Sequence, residues 1–429
     1  MANETVMTAE ESLDVMRDST VREQLIPELQ KHVELTGEML EEMKNNNAFM
    51  EILASDKIKE ISSDWAGLEH LANTGKFGSV FGIGDQFVDT WKDTVANKDY
   101  TYPWQLNHVK NVELEDGEVL KDRPVIAAHY AHAIGVQFSH QRAFLACPEG
   151  LAPGTYYFTI ESKWGDKGYV LAGDVVAFTT TQAVPEGGKI SGCYGAPDNA
   201  KSTWKIYTHS ADGKEVIETL MPSFGVPEGG TNLGMQKYSV RNGNLNSTQE
   251  MAYGWNRWKT SALRQYLNSD KGVGEWWTAQ DEWDIAPDQL TQKAGFLSGI
   301  PAEMLNVMKT TKIVTYTNTV QDGGEADVTY DKVFVPSLEE MHIKPQISGE
   351  GETHEYYLRK SGSATPLEWY KTYPNMIGYA LENHSSPQNV RLRSANRGNA
   401  DDTWYVNSSG SISNNYASWA NRFFPAWIL

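Results

Sequence analysis

Three histidines, His129, His132 and His140, form the most metal-like group in the sequence. Histidines at positions i and i+3 of a helix share one face, and a third histidine can complete a metal site. No carboxylate or thiolate accompanies them at a fixed spacing. Ordinary core or surface histidines are therefore the favoured interpretation, and no metal ion is expected.

Carboxylates crowd beside tryptophans between positions 275 and 284, which is typical of a sugar site with an acid and base pair. The group consists of Glu275, Asp281, Glu282 and Asp284 with Trp276, Trp277 and Trp283. A solvated loop with an aromatic anchor has the same composition. The sequence also lacks a Gly-x-Ser-x-Gly motif, and neither cysteine has a compelling histidine partner. A hydrolase acting on polysaccharide is therefore the weaker hypothesis, and no catalytic residue is assigned.

Gly78, Gly82 and Gly84 form a glycine-rich stretch that could be mistaken for a phosphate-binding loop. No Lys-Ser or Lys-Thr pair follows them, and a dinucleotide site would need a strand-helix-strand context. The stretch predicts a turn, and no cofactor is expected.

Composition limits the class of protein. A chain of 429 residues with 40% hydrophobic and 22% charged residues is typical of a soluble globular protein with two or three domains. The net charge of −19 disfavours nucleic acid as a partner. No apolar run reaches the roughly 20 residues that span a bilayer, and the N-terminus lacks the features of a secretory signal. We therefore expect no membrane insertion and synthesis in a cytoplasm.

Two cysteines, Cys147 and Cys193, lie in separate stretches without Cys-x-x-Cys spacing. Neither a disulfide framework nor a zinc ribbon is predicted from them. The 14 Trp, 20 Tyr and 36 Gly residues instead favour a β-rich protein with many loops and amphipathic contact surfaces.

The pattern changes twice along the chain, which predicts three parts. Residues 1–74 are acidic, and Leu29, Val33, Thr36, Leu40 and Met43 keep a helical spacing. This segment is either a helical hairpin or an oligomerisation stalk. Residues 75–230 contain short alternating runs, and strands are predicted at 155–160, 169–171 and 175–179. Residues 231–429 mix both types, with helices predicted at 258–268 and 301–308, a strand at 332–335 and a helix start at 336–341.

The C-terminal part contains an unusually polar segment. Residues 389–421 include seven Asn and six Ser, with no Lys or Pro, interspersed with Trp404, Tyr405, Tyr416 and Trp419. Such a composition is often disordered. The chain then runs through an apolar stretch at 424–429, which predicts a buried closing strand. The polar residues would lie on loops, with the residue types that antibody paratopes use for recognition.

Three motifs in this part resemble a known family. They run from Tyr253 to Ser269, from Tyr330 to Glu340 and from Leu392 to Gly398. In order and spacing they are similar to a C-type-lectin-like domain of phages and prophages of gut bacteria. The stretch from Val406 to Ala426 resembles the variable region of proteins diversified by retroelements that mutate template adenines. One departure is Val390-Arg391, where relatives tend to have two aromatic residues.

The resemblance implies an α+β protein whose C-terminal domain, residues 231–429, is C-type-lectin-like, after a β-rich, sandwich-like domain at 75–230. The variable region would be about residues 389–424. Because the lectin trios Glu-Pro-Asn and Trp-Asn-Asp are absent, calcium is not implied. Ser394, Gly398, Gly410 and Pro425 would be scaffold. The ligand-facing residues would be Asn396, Arg397, Asn399, Asp401, Asp402, Trp404, Tyr405, Ser411, Ser413, Asn414, Asn415, Tyr416 and Trp419.

The resemblance further implies a function in recognition and not in catalysis. The chain would be a phage-encoded protein on the virion surface that binds a bacterial surface protein or glycan through its diversified loops. Other virion proteins are expected partners, and a homo-oligomer such as a trimer is a candidate assembly. The main alternative is a structural virion component, a head decoration or tail-tip subunit, whose loops make only intersubunit contacts. The expected location is the virion, after synthesis in the bacterial cytoplasm.

Overall fold

Helices and strands are both present in the computed structural model of the chain, which confirms the predicted mixed α+β class. The structure describes residues 65–147, 150, 152–159, 175–180, 182–191, 202–207, 250, 253–281 and 283–429. The predicted N-terminal helices, the strand at 169–171, Glu282 and Cys193 lie outside these residues.

Five short α-helices occur among the described residues. They are α1 (Trp65–Asn73), α2 (Phe77–Val80), α3 (Ala262–Leu267), α4 (Ala302–Val307) and α5 (Glu355–Ser361). The helix predicted at 258–268 is divided, because a 3-10 turn, Trp258–Thr260, precedes α3. Ser261 separates the two, and its Oγ accepts a hydrogen bond from the Arg264 main-chain nitrogen, which caps α3. The helix predicted at 301–308 is confirmed by α4, with Pro301 at its N-cap.

The helix start predicted at 336–341 forms only a single turn, and no helix continues from it, so the prediction of a helix there is wrong. Ser337 and Glu340 make reciprocal hydrogen bonds, Ser337 N to Glu340 Oε2 at 3.0 Å and Glu340 N to Ser337 Oγ at 3.1 Å. This arrangement is that of a helix capping box. However, His342 has a left-handed φ of 57°, which ends the turn before a helix can propagate.

The strands cover most of the remaining described chain. The first nine are β1 (Gln86–Asp93), β2 (Lys98–Glu113), β3 (Val119–Ala128), β4 (Val136–Gln137), β5 (Ala143–Cys147), β6 (Gly154–Thr159), β7 (Val175–Thr180), β8 (Gly188–Ser191) and β9 (Ser202–Tyr207). The strands predicted at 155–160 and 175–179 are confirmed by β6 and β7. Gly82 and Gly84 lie in the predicted turn before β1, and Gly78 lies within α2.

Ten further strands follow in the C-terminal part. They are β10 (Thr311–Tyr316), β11 (Ala326–Asp331), β12 (Val333–Phe334), β13 (Gly378–Tyr379), β14 (Pro387–Gln388), β15 (Val390–Ala395), β16 (Asp402–Val406), β17 (Ile412–Tyr416), β18 (Ala420–Phe423) and β19 (Ala426–Ile428). The strand predicted at 332–335 corresponds to β12. The predicted closing strand is β19, in which all three residues are buried.

Two five-stranded sheets organise this part of the chain. The first has the order β1-β2-β3-β19-β12, and all its neighbouring strands are antiparallel. The second has the order β17-β16-β15-β18-β4, in which β15 and β18 are parallel and the other pairs are antiparallel. Smaller sheets join β10 with β11, β13 with β14, β5 with β8, and β6 and β9 with β7.

The predicted domain boundaries after residues 74 and 230 stay predictions. However, strands β3 and β4 from the predicted β-rich domain pair with strands β19 and β18 from the C-terminal part. Residues 86–137 therefore do not form a body separate from residues 390–428.

Buried aromatic and aliphatic side chains fill the space beside the second sheet. One cluster joins Leu392 of β15, Trp404 and Val406 of β16, and Ile412 of β17 with side chains from residues 338–376. Burial of this apolar surface holds the second sheet against the segment that precedes it. Across the described ranges, no helix has the length and apolar character needed to cross a membrane.

Candidate functional site

Strands β16 and β17 present the middle of the Asn- and Ser-rich segment. Asp402 pairs with Tyr416, and Trp404 pairs with Asn414. Because side chains alternate between the two faces of a strand, these four side chains share one face. Trp404 is buried, whereas Asp402, Asn414 and Tyr416 are half-buried. The face therefore passes from core to surface along the strand pair.

Three aromatic rings extend this face toward solvent. The Tyr416 ring stacks on Tyr253, with ring centroids 3.8 Å apart and planes inclined by 8°. The Trp419 ring meets Tyr416 edge-on, with centroids 5.7 Å apart. Trp419 is 55% exposed, so a large apolar ring remains available at this end of the face.

A fourth aromatic residue, Tyr370, lies beside Asn414. The Asn414 Nδ2 donates a hydrogen bond of 3.1 Å to the Tyr370 hydroxyl, and Tyr370 is 65% exposed. We define the display surface as the side chains of Tyr253, Tyr370, Asn414, Tyr416 and Trp419. Aromatic rings and an amide bind by stacking and hydrogen bonding, as the same residue types do in antibody paratopes.

Asn256 holds the loop before β16, residues 396–402. Its side chain is fully buried, and Nδ2 is shared among three main-chain carbonyl oxygens. These acceptors belong to Asn396, Asn399 and Asp402, at 3.1, 3.0 and 2.8 Å. The Asn256 Oδ1 accepts a hydrogen bond of 3.0 Å from Asn318 Nδ2, which fixes the orientation of the amide. Asn256 thus binds the loop only through main-chain atoms, which every residue possesses, while Asn396, Asn399 and Asp402 add side-chain hydrogen bonds within the loop.

Arg391 of β15 supports β17 and the following turn in the same manner. Its guanidinium donates to the carbonyl oxygens of Asn415, Tyr416 and Trp419, at 2.8, 2.9 and 2.9 Å. It also donates to the Thr403 hydroxyl. Burial lowers the pKa of Arg391 to about 9, while the charge of Asp402 raises it. The guanidinium therefore stays charged at neutral pH, and its hydrogen bonds are of the stronger, charge-assisted kind.

Arg393, two residues further along β15, is held by a buried carboxylate. It donates to Glu340 and to the carbonyl oxygens of Val335 and Glu350. Glu340 and Arg393 each have a side chain that is 1% exposed. Burial tends to raise the pKa of Glu340, but the charges of Arg393 and Lys110 outweigh it and the pKa falls below its usual value. Glu340 is therefore ionised across the neutral range.

The predicted ligand-facing residues differ in their exposure. Asn396, Asp401 and Trp404 are buried, Trp419 is exposed, and the others are half-buried: Arg397, Asn399, Asp402, Tyr405, Ser411, Ser413, Asn414, Asn415 and Tyr416. Gly398, predicted as scaffold, is exposed. Gly410 is buried with a φ of 84°, and an added Cβ would lie 2.4 Å from the Tyr373 carbonyl oxygen. Only glycine fits there, which agrees with its predicted scaffold role.

The prediction that Trp404 faces the ligand is corrected, because its side chain is 1% exposed and belongs to the core. Its ring stacks on Trp369 with centroids 5.2 Å apart, and its Nε1 donates to Gln346. Asn396 and Asp401 are likewise turned away from solvent, at 9% and 3% exposure. A ligand on the display surface would not reach these side chains.

Arg397, predicted to face the ligand, also makes contacts within the scaffold, and its ligand role stays a prediction. Its Nη1 donates to the carbonyl oxygens of Thr317 and Gly324, both at 2.9 Å. The Thr319 main-chain nitrogen donates to the Arg397 carbonyl oxygen at 3.0 Å. Arg397 therefore joins two loops of the scaffold, although it is half-buried.

Two members of the display surface, Tyr253 and Tyr370, were not identified from the sequence. Both lie outside residues 389–424, and strand pairing and stacking bring them to that segment. One available signal was the Trp369-Tyr370 pair between two prolines, since adjacent large aromatic residues in a polar loop are often contact residues.

The three histidines contact different partners. The His129 Nδ1 lies 2.6 Å from Gln105 Oε1, and His140 lies 3.4 Å from Asp288. His132 is fully buried, with its ring nitrogens 2.8 and 3.3 Å from the hydroxyls of Tyr102 and Tyr266. No group of three or more metal-ligating side chains suited to an ion occurs in the described part of the chain.

Two of the carboxylates near the tryptophans, Asp281 and Asp284, are engaged by an arginine. Arg142 donates to Asp281 at 2.5 Å and to Asp284 at 2.6 Å, and it also lies 3.5 Å from Glu250. Burial raises the pKa of Asp284, although the charge of Arg142 opposes this. The carboxylates thus balance a buried arginine, so this geometry favours a structural ion cluster over an acid and base pair.

Comparison with protein families gives a match to the C-terminal part of the chain. The model of a family described as a domain of unknown function, DUF6273, matches residues 230–428. The match includes every residue of the display surface, as well as Asn256, Arg391 and Arg393. No curated protein matches the chain, and no solved structure matches it either.

Proposed function

We propose that this chain is a phage-encoded recognition protein of the virion that binds a bacterial surface protein or glycan through the display surface. The C-terminal part would be a C-type-lectin-like domain, and the segment at about 389–424 would be its diversified region. The motif resemblance described above supports both statements.

The observation that carries the proposal is how the loops are supported. Asn256 and Arg391 hold residues 396–402 and 415–419 chiefly through main-chain carbonyl oxygens. Exposed rings at Tyr370 and Trp419 remain at the surface. A rigid backbone that carries variable aromatic and amide side chains is the arrangement expected of a recognition surface.

Binding to intact cells tests the proposal. Fluorescently labelled protein is incubated with a panel of gut bacteria, and retention is measured by flow cytometry. We expect strong retention on a few members of the panel and a loss of at least about tenfold for the double variant Tyr416→Ala/Trp419→Ala, because aromatic anchors dominate binding energy. Protease or periodate treatment of the cells then distinguishes a protein from a glycan ligand.

The matched control is Tyr379→Ala. Tyr379 is also an exposed tyrosine, at 37%, but it belongs to the separate sheet of β13 and β14. Its replacement should leave retention unchanged. Absence of retention on every member of the panel, or equal loss in both variants, would contradict the proposal.

Diversification has a test of its own in the surrounding DNA. We expect a near copy of the codons for residues 389–424 that differs only at adenines, beside a reverse transcriptase gene. Absence of such a copy in the complete genome would remove diversification from the proposal and leave recognition to the cell-binding test.

A structural virion component is the second candidate, because the same exposed rings could be covered by a neighbouring subunit. An antibody against residues 370–419 separates the two functions by imaging of intact particles. A recognition surface must be accessible to the antibody, whereas an intersubunit surface must not.

A further inference from the structure

Tyr370 has a backbone conformation that its residue type disfavours. Its φ of 57° lies in the left-handed region, which glycine and asparagine adopt far more readily than a bulky aromatic residue. Such conformations cost free energy and cluster at binding and catalytic sites. The presence of tyrosine at this position therefore needs a reason.

The hydrogen bonds of the segment do not supply this reason. The Tyr370 main-chain nitrogen donates to the Ile412 carbonyl oxygen at 2.8 Å, and the Ile412 nitrogen donates to the Lys371 carbonyl oxygen at 3.1 Å. Residues 370–373 thus extend the second sheet beside β17. These bonds use main-chain atoms only, so glycine at 370 would make them without strain.

The side chain is also not required for the core. Tyr370 is 65% exposed, the largest exposure among the described large apolar and aromatic residues that stand out at the surface. The centroid of its ring lies 5.8 Å from that of the buried Trp404, and its hydroxyl accepts a hydrogen bond from Asn414 of the display surface. The left-handed backbone thus places an exposed ring beside the predicted variable segment.

We propose that Tyr370 is a ligand-contacting residue that lies outside the variable segment and supplies a fixed aromatic contact beside variable ones. This inference rests on the proposed function. Residues 389–424 would then change the specificity of the surface, while Tyr370 would contribute to the affinity for each ligand.

The test is Tyr370→Gly, measured on the panel member that retains the unmodified protein best. Glycine removes the ring and relieves the strain together, so we expect at least about a tenfold loss of retention with an unchanged or higher melting temperature. Tyr370→Phe keeps the ring but loses the hydroxyl, and a smaller loss is expected. Tyr379→Ala is the control with unchanged retention.

The outcomes separate this inference from the proposed function. If Tyr370→Gly is retained as well as the unmodified protein while Tyr416→Ala/Trp419→Ala is not, the inference fails and the proposed function stands. A markedly lower melting temperature of Tyr370→Gly would make Tyr370 a structural residue and overturn the inference. If no cell retains the unmodified protein, the proposed function fails, and the inference fails with it.

Discussion

Arg391 and Arg393 lie two positions apart on β15, and both are buried, but they support different regions by different means. All the acceptors of Arg391 within the described chain are main-chain carbonyls or the Thr403 hydroxyl. Arg393 instead pairs with the carboxylate of Glu340, deep beneath the sheet. The first arrangement tolerates exchange of the side chains that it supports, whereas the second depends on the identity of its partner.

The contrast explains how one strand can support both a partly exposed segment and the interior. Carbonyl oxygens remain when Asn415, Tyr416 or Trp419 is replaced, so the bonds of Arg391 survive. A change at Glu340 would instead leave a buried cation without its counter-charge. Four predictions test this difference.

The largest effect is expected for Arg393→Met. This change leaves Glu340 buried and ionised without its main partner, which should lower the free energy of unfolding by about 3–5 kcal/mol. Urea denaturation measures the change. The double variant Glu340→Gln/Arg393→Met should recover part of the loss, because the unpaired charge is gone. A loss of unfolding free energy below about 1 kcal/mol would show that Arg393 does not depend on the carboxylate of Glu340, and the comparison with Arg391 would fail.

A smaller effect is expected for Arg391→Met. The change removes several charge-assisted hydrogen bonds, but none of the acceptors of Arg391 within the described chain is a carboxylate, so the loss should be about 1–3 kcal/mol. Amide hydrogen exchange should accelerate at residues 413–420, where the carbonyl support is lost. Arg391→Lys is the matched control, and it should recover only part of the support because an ammonium lacks the planar fork. A loss equal to that of Arg393→Met would contradict the comparison.

The pH dependence of Glu340→Gln gives the next test. The pKa of Glu340 is lowered in the folded state, from an ordinary value of 4.5, by Arg393 and Lys110 against the effect of burial. Its contribution to stability is therefore complete above pH 4.5 and declines as the pH falls below that value. Glu340→Gln should be most destabilising near pH 7 and less so at low pH. Burial raises the pKa of Glu350, so its contribution to stability declines as the pH rises, which is the opposite dependence on pH. A constant difference across the acid range would contradict the ionic role of Glu340.

The smallest effects are expected for three side chains that are exposed or half-buried. Ser413→Ala, Asn415→Ala and Trp419→Ala should each change the free energy of unfolding by at most about 0.5 kcal/mol, because Arg391 and Asn256 make no hydrogen bond to these side chains. Trp404→Ala is the contrasting control and should cost about 3–5 kcal/mol, since it removes a buried indole. Thermal denaturation followed by circular dichroism measures both. A large loss for Trp419→Ala would place it in the core.

Helices and strands that depend only on neighbouring residues could be predicted from the sequence. The apolar run at 424–429 predicted β19, and the proline followed by apolar spacing predicted α4. The helix start at 336–341 failed because the left-handed turn at His342 is not encoded in that spacing. Local periodicity is informative where nearby residues determine the structure.

Exposure at the display surface could not be predicted in the same way. Trp404 and Trp419 lie in similar Asn- and Ser-rich surroundings, yet one is 1% and the other 55% exposed. The difference comes from Trp369 and Gln346, which cover Trp404 and are distant in sequence. The hydrogen bonds of Asn256 and Arg391 could also not be predicted, because every residue has a carbonyl oxygen and the residue type of the acceptor therefore gives no signal.

Strand β19 pairs on one side with β3 and on the other with β12. Ala426 and its partner Ala127 are separated by most of the chain. During synthesis the hairpins of β1, β2 and β3 can form early, but the far edge of β3 then stays open until β19 emerges. Open strand edges attract other chains, and contacts between distant residues form slowly. Assembly of this protein is therefore exposed to aggregation until β19 has paired with β3, which makes the pairing of these two distant strands a determinant of its yield.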